Sequence, residues 1–396
     1  MTQQHSGGHG PAATADVLIV KALENGLGTA DFEIVSIERL DSHLHGHAFK
    51  YNQTSGLVTG VYPYRIAWRD AHGVSRSVDV MLKAKPDERS ILAVYKGLLE
   101  KAGVALQTPL ETCLAHSDYS TPNLKEASLF RDFRQDLAPY LPRSLGIYID
   151  EAASYTLRLE EILPKGSVIL DPDDDTTALW KPGFSNLTLE GIAAIHARFR
   201  GRTDRLSETG WFPVCDRQTM MQGMELWRAF LGFLIEACSD VMTPDMAQRH
   251  RHVLDTLPDW YALVDREDKT LLYGDVNPQN LAFARSETGF QLSLFDWERA
   301  VISLPQRDLA EHLVYTLPDD FDMPRAQKDI DVYMEAFARH AGSGKPPPSF
   351  EGLALMLQDL IVNRLPLMMI VDHVAGKRRH AGAAYGRAHR LLALFS

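Results

Sequence analysis

Apolar positions along this chain change their spacing near residue 186. Before that point periods of two and of 3.6 alternate; after it the spacing is helical almost throughout. Residues 13–25 place Val17, Leu18, Val20, Ala22 and Leu23 around Lys21 and Glu24, a short amphipathic helix that Gly26 can stop. Residues 32–38 alternate as a half-buried strand, and 55–68 and 76–83 read as two more, joined by the turn Asp70-Ala71-His72-Gly73. Helical patterns follow at 90–102 and 123–138, then strands at 143–149 and 155–160 around Asp150-Glu151. From Asn186 onward Leu189, Ile192, Ile195, His196 and Phe199 recur every three or four residues. Further helices are predicted at 219–239, 244–265, 306–316, 325–340, 350–375 and 381–394. The expectation is an α+β protein of two lobes, a five-stranded antiparallel sheet lobe followed by a mostly helical one.

One segment breaks the helical run. Leu271-Leu272-Tyr273 leads into Gly274-Asp275-Val276-Asn277-Pro278-Gln279-Asn280, and Leu281-Ala282-Phe283 leads out. A polar turn at 285–289 and the alternating run Gln291-Leu292-Ser293-Leu294-Phe295 complete a hairpin that ends at Asp296-Trp297-Glu298. Such a hairpin brings Asp275, Asn280 and Asp296 together. Phosphoryl transfer needs these parts: a carboxylate for the acceptor hydroxyl, and an amide oxygen and a second carboxylate for a metal bridging the nucleotide phosphates. Mg²⁺ takes hard oxygen ligands and keeps several waters, so one Asn and one Asp from the protein suffice.

This block resembles the catalytic loop and metal-binding aspartate of the aminoglycoside phosphotransferase/choline kinase family, a branch of the protein-kinase-like fold. That family typically carries HGD-x4-N and then D-[FWY]-[ED]; here Tyr273 stands where the His usually is. Tyr273 is expected to fill the same space and leave the chemistry intact. Asn277 occupies the place of the lysine of protein kinases, as is common in small-molecule kinases. The resemblance implies Asp275 as the catalytic base, Asn280 and Asp296 as metal ligands, and ATP with Mg²⁺ as cofactors, GTP staying open as the nucleotide. The acceptor would be a hydroxyl of a small molecule such as an antibiotic, amino alcohol, sugar or natural product. Alternatives are a catalytically weak nucleotide-binding pseudokinase and nucleotidyl transfer on the same fold.

The rest of the site follows from the same resemblance. Val78-Asp79-Val80-Met81-Leu82-Lys83 looks like the strand that ends in a nucleotide-binding lysine; Lys85 shares its side of the strand by parity. Lys125-Glu126-Ala127-Ser128-Leu129-Phe130 looks like the helix whose glutamate pairs with that lysine. Leu159-Glu160-Glu161-Ile162-Leu163 resembles the hinge between lobes, where backbone groups would meet the purine; Glu160, Glu161 and Ile162 are the nucleotide candidates there. His196 reads as a packed core histidine, and Asp308 in Asp308-Leu309-Ala310 as a brace for the catalytic loop. Between 40 and 56 only Gly46 and Gly56 stand where a glycine-rich phosphate loop would lie. His43, His45 and His47 read as a surface loop, and the acidic run 171–175 as a solvated one. Asp359, Asn363, Arg364 and Asp372 on the predicted helix 350–375 suit either an acceptor pocket or internal ion pairs.

The domain reading is a tail at 1–12, a sheet lobe at 13–162 with its hinge near 159–163, and a helical lobe at 163–396. At 396 residues, 45% hydrophobic and 23% charged, the chain can bury a large core. A net charge of -11 speaks against nucleic acid as a partner. Three scattered cysteines form neither a disulfide framework nor a metal pattern, and the polar, glycine-rich opening is no signal peptide. The apolar run 365–371 is too short to span a bilayer. The chain is therefore expected in the cytoplasm, off the membrane, as a monomer or homodimer.

Overall fold

The computed structural model describes residues 15–40, 58–115, 117–170, 180, 182–342, 346–376 and 380–395. Residues 41–56 of the candidate phosphate loop, with its three histidines, and the acidic run at 171–175 lie outside the described residues. Five antiparallel strands form the main sheet: β1 Phe32–Arg39, β2 Gly60–Asp70, β3 Ser75–Lys85, β4 Ser144–Asp150 and β5 Tyr155–Glu161, in the order β1-β2-β3-β5-β4. The helix Ala15–Leu27 covers one face, burying Leu18, Ile19, Ala22 and Leu23 against Ile66, Trp68, Val80, Leu82, Leu157 and Leu159. A side chain on Gly146 of β4 would stand 1.9 Å from the carbonyl oxygen of Ala22, so glycine allows helix and strand backbones to touch.

The pleat of β3 decides the site. Val80, Leu82 and Ala84 point into the sheet core, so Met81, Lys83 and Lys85 point to the opposite face. That face meets the helix Pro122–Asp132, which belongs to the larger hydrophobic core through Leu129 and Phe130. β3 is the middle strand of the five, so Lys83 and Lys85 are not edge residues.

The helical part is built around Pro182–Phe199, Met224–Ala237, Gln306–Thr316, Met323–Ala341, Phe350–Asp359, Leu365–Ala375 and His380–Phe395. Four predicted helices differ from expectation, the 123–138 pattern breaking at Phe133. The 219–239 pattern breaks at Gly223, and the 244–265 pattern breaks at Thr256, where Pro258 opens a new helix without a backbone N–H to give. The 350–375 pattern contains one wide π turn, Leu360–Arg364, just ahead of Pro366, whose ring cannot continue an ordinary α-helical ladder. Phe350–Ala375 is long and apolar enough to cross a membrane, yet 78% of its most apolar window is buried inside the protein, as in a core helix.

Set into this body is the strand β7 Thr270–Leu272, paired with β10 Val301–Ser303. Between them run the loop at 273–280, the hairpin β8 Leu281–Ser286 and β9 Gly289–Leu294, and Asp296. β6 Val168–Ile169 adds to the hairpin's edge.

Candidate active site

Two carboxylates one helical turn apart hold the loop. Asp308 and Glu311 share a face of Gln306–Thr316. Asp308 accepts from the amides of Tyr273 and Gly274 at 2.8 and 3.0 Å, and Glu311 accepts from that of Val276 at 2.9 Å. The imidazole of His196 sits 3.0 Å from Asp308 and 2.8 Å from the Tyr333 hydroxyl, fully buried, a bracing position consistent with its reading as a core residue. Gly274 has φ +77°, and any Cβ there would lie 2.3 Å from the carbonyl oxygen of Arg299, so glycine is required beside Asp275.

Tyr273 joins the two halves of the hairpin. Its buried hydroxyl faces the carbonyl of Asn280 at 3.0 Å and that of Phe295, the residue before Asp296. One phenolic proton thus serves two carbonyls, tying the backbone at Asn280 to the backbone entering Asp296. The ring packs edge-on against Trp297, centroids 4.9 Å apart. Asn277 caps the short 3₁₀ turn Pro278–Asn280, accepting from the Gln279 amide at 3.2 Å. Asp296 holds a left-handed backbone, φ 74° and ψ 59°, a conformation sparsely populated by residues other than glycine.

A charge cluster links this hairpin to the sheet. Lys83 Nζ lies 3.0 Å from Glu126 Oε1 and 2.9 Å from Asp296 Oδ1. Lys85 reaches the same Asp296 oxygen at 2.9 Å and Glu298 Oε2 at 2.5 Å. Arg158, opposite Lys83 on β5, would repel it; Glu126 Oε1 lies between, 3.1 Å from Arg158, and also accepts from the Trp297 amide at 3.0 Å. Burial pushes the Glu126 carboxyl up, but Arg158, Lys83 and Lys85 outweigh it and hold the group down at about 2. The same contest leaves Asp296 well below the carboxylate range, with both lysines as counter-charges. Lys85 resists the lowering effect of burial because Asp296 and Glu298 hold it charged. The expected trio Lys83, Glu126 and Asp296 is in direct contact, and Lys85 shares the work.

At the hinge segment one glutamate is buried and the next lies at the surface. The Glu160 carboxylate lies against the Arg158 guanidinium, and that of Glu161 pairs with Arg143 at 3.1 Å. The amides of Glu161 and Ile162 bond to the carbonyls of Arg143 and Asp79 at 2.8 and 3.2 Å.

Asp275, 9% exposed, is met by Arg364: Nη2 to Oδ1 is 2.6 Å. Arg364 comes from the π turn and also faces Glu311 at 3.4 Å. Burial raises the Glu311 carboxyl to about 7 even with Arg364 opposing it. The four polar residues of 350–375 divide accordingly. Asp359 is closed internally, accepting from Tyr261 and Arg307 at 2.9 Å each and from Asn363 at 3.2 Å. Asp372 accepts from the Ala381 amide at 3.1 Å. Behind them Asp118 takes Arg299 at 2.6 Å and Arg307 at 2.8 Å, and the Arg299 guanidinium stacks on the Tyr119 ring 3.5 Å away. These long-range pairs are absent from the motifs; only the i, i+3 spacing of Glu311 from Asp308 hinted at its role.

A five-stranded antiparallel sheet thus stands against a helical body, with a lysine–glutamate pair facing the aspartate that follows the Asp-x4-Asn loop, as the sequence resemblance implies. Residues 187–346 match the model of the phosphotransferase enzyme family (APH). Among solved structures the chain is similar to choline kinase LicA from Streptococcus pneumoniae, at 15% identity over 91% of this chain and 94% of that one, TM-score 0.44. It is also similar to aminoglycoside 2'-phosphotransferase-IIIa (10% identity, 92% and 99% covered, TM-score 0.45) and to a microcompartment-associated aminopropanol kinase (12%, 84% and 90%, TM-score 0.39). These superpositions are loose, and the chemistry of the site rests on its own geometry. No curated protein matches the chain significantly.

Proposed function

We propose that the protein is an ATP- and Mg²⁺-dependent kinase of a small-molecule alcohol. The observation that carries this reading is the junction of Lys83, Glu126 and Asp296 with a braced Asp275-to-Asn280 loop. In the reaction the acceptor hydroxyl oxygen attacks the γ-phosphorus, the bond to the β,γ-bridging oxygen breaks, and ADP leaves. The hydroxyl proton passes to Asp275. Lys83, kept in place by Glu126, offers its ammonium to the α- and β-phosphate oxygens.

Among the described residues no three His, Cys, Asp or Glu side chains gather as a metal cage. The donor set fits Mg²⁺ held in the sparse manner of phosphoryl-transfer sites, by the amide oxygen of Asn280 and the carboxylate of Asp296, with phosphates and waters completing the shell. Bound there, the ion would neutralise charge on the phosphates. Residues 13–162 and 163–396 serve in this reading as two lobes closing on the nucleotide, with the purine beside Glu160–Ile162. The N–H groups of Glu161 and Ile162 are engaged within the protein, which leaves carbonyls and the residues after Ile162 for the base.

The acceptor would lie beside Asp275 and Arg364. The nearby carboxylates Asp118, Asp359 and Glu311 are already paired with arginines. Their pairing speaks against a polycation as the acceptor. The test is ADP release from MgATP against pools of aminoglycosides, amino alcohols, sugars and polyketide-type alcohols, with Asp275→Ala beside the wild type. A pool that raises ADP only in the wild type identifies the acceptor class. Pyrophosphate in place of ADP would mean nucleotidyl transfer, and failure to bind MgATP would overturn the reading.

A further inference from the structure

We propose that Arg364 is a positioning residue for phosphoryl transfer, fixing Oδ1 of Asp275 so that Oδ2 meets the acceptor hydroxyl, with Glu311 as its anchor. The inference rests on the kinase reading and concerns a residue 89 positions from its partner. A carboxylate turns easily about its last torsion, where the wells are broad. A reacting base must instead be held within a narrow angle of the attacking oxygen. The charge-assisted contact of 2.6 Å from Arg364 Nη2 supplies that constraint. It differentiates two otherwise equivalent oxygens.

The loop does not bring a cation of its own to this place. Asn277, two residues past Asp275, spends its side chain on the Gln279 amide. The guanidinium arrives from the π turn Leu360–Arg364, an irregularity of the kind that recurs at functional sites. Its second face meets Glu311 Oε1 at 3.4 Å, while Glu311 Oε2 accepts from the Val276 amide at 2.9 Å. One arginine–glutamate pair therefore holds the side chain of residue 275 and the backbone of residue 276. A pair needed only for stability would not have to end on the base.

Slow MgATP hydrolysis tests this, because water can take the place of the acceptor: its oxygen attacks the γ-phosphorus, its proton goes to Asp275, and ADP and phosphate leave. Wild type, Asp275→Asn, Arg364→Ala, Arg364→Lys and Asp275→Asn/Arg364→Ala would be compared for kcat, KM for ATP and thermal midpoint. Arg364→Ala is expected to lose roughly 10- to 100-fold in kcat with KM within about twofold, the loss of one charge-assisted hydrogen bond at the reacting group. Millimolar guanidinium should restore part of that rate in Arg364→Ala and none in Asp275→Asn. In the Asp275→Asn background the arginine change should cost nothing further. If Arg364→Ala does not fold, Arg364→Lys carries the test, with a lowered kcat at unchanged midpoint and KM. A kcat within twofold of wild type, an additive loss in the double variant, or a loss that guanidinium leaves untouched overturns the proposal while the kinase reading stands. Wild-type hydrolysis no faster than Asp275→Asn overturns both.

Discussion

Lys83 and Asp296 are in direct contact, Nζ to Oδ1 at 2.9 Å, across 213 residues of sequence. Lys85 reaches the same oxygen at the same distance, so strand parity places two ammonium groups on one carboxylate. They differ in their second partner: Lys83 stands 3.0 Å from Glu126, Lys85 only 3.9 Å, and Lys85 is instead spent on Glu298. Lys83→Met is therefore expected to raise KM for ATP by about 10- to 100-fold, as loss of a charged hydrogen bond does. Lys85→Met should raise it less. Steady-state kinetics at saturating acceptor checks the order, and a larger effect at Lys85 would move the nucleotide contact two residues along β3.

Asp275 should act on rate alone. Asp275→Asn keeps the shape of the side chain beside Arg364 but accepts no proton, and turnover is expected to fall by about 10²- to 10⁴-fold. Dissociation of MgATP, followed by calorimetry, should stay within about twofold. Asp275→Ala is expected to be less stable than Asp275→Asn, since it leaves the buried Arg364 guanidinium, 6% exposed, without that partner. Weakened nucleotide binding with undiminished turnover would remove Asp275 from the chemistry.

How far the site could be read in advance follows from these contacts. The hairpin signal was local: Asp275, Asn280 and Asp296 are separated by one short loop and one tight turn, and periodicity locates such pieces well. Lys83 and Lys85 could not be told apart by pattern, because both share one face, and the structure uses both. Arg364 was visible only as a charge on an apolar helix; its reach to Asp275 depends on the π turn that Pro366 favours, which helical spacing does not encode. The buried set Asp118, Arg299, Arg307 and Asp359 was wholly illegible, since charged residues far apart in sequence look solvated one at a time. Helix breaks at Gly223 and Thr256 escaped for a similar reason: apolar spacing runs straight through them.

Tyr273 carries a prediction about stability. Its hydroxyl faces the carbonyls of Asn280 and Phe295 in a site almost without solvent. Tyr273→Phe keeps the ring against Trp297 and removes the proton that serves both carbonyls. The expected cost is about 1–3 kcal/mol in urea unfolding, the range for leaving a buried polar group unsatisfied. Turnover should fall as well, because the two carbonyls fix the backbone at Asn280 and before Asp296. Unchanged stability would show that water or a backbone shift satisfies those carbonyls equally well.

Stability should also decline on mild acidification. His250 and His389, buried together near Tyr385 and Arg249, are each pushed down to about 3 by burial, and His312 to about 4. In the unfolded chain a histidine takes up its proton near the ordinary 6.5, whereas in the folded protein these three stay neutral until the pH is far lower. Between those values the unfolded state binds more protons, so the contribution is fully present above about pH 6.5 and is lost as the pH falls toward 3. Glu126, held at about 2 against an ordinary 4.5, adds a second loss that begins only below about pH 4.5. Glu311, raised to about 7, takes up its proton first in the folded state and opposes this loss, but it is one group against three, so the urea midpoint is expected to drop between pH 7.5 and pH 5.5. His250→Gln should be less stable at pH 7.5, having lost the 2.7 Å contact with the Tyr385 hydroxyl, yet show a shallower drop across the same interval. Equal midpoints at the two pH values in the wild type would mean that these imidazoles are already reached by protons in the folded state.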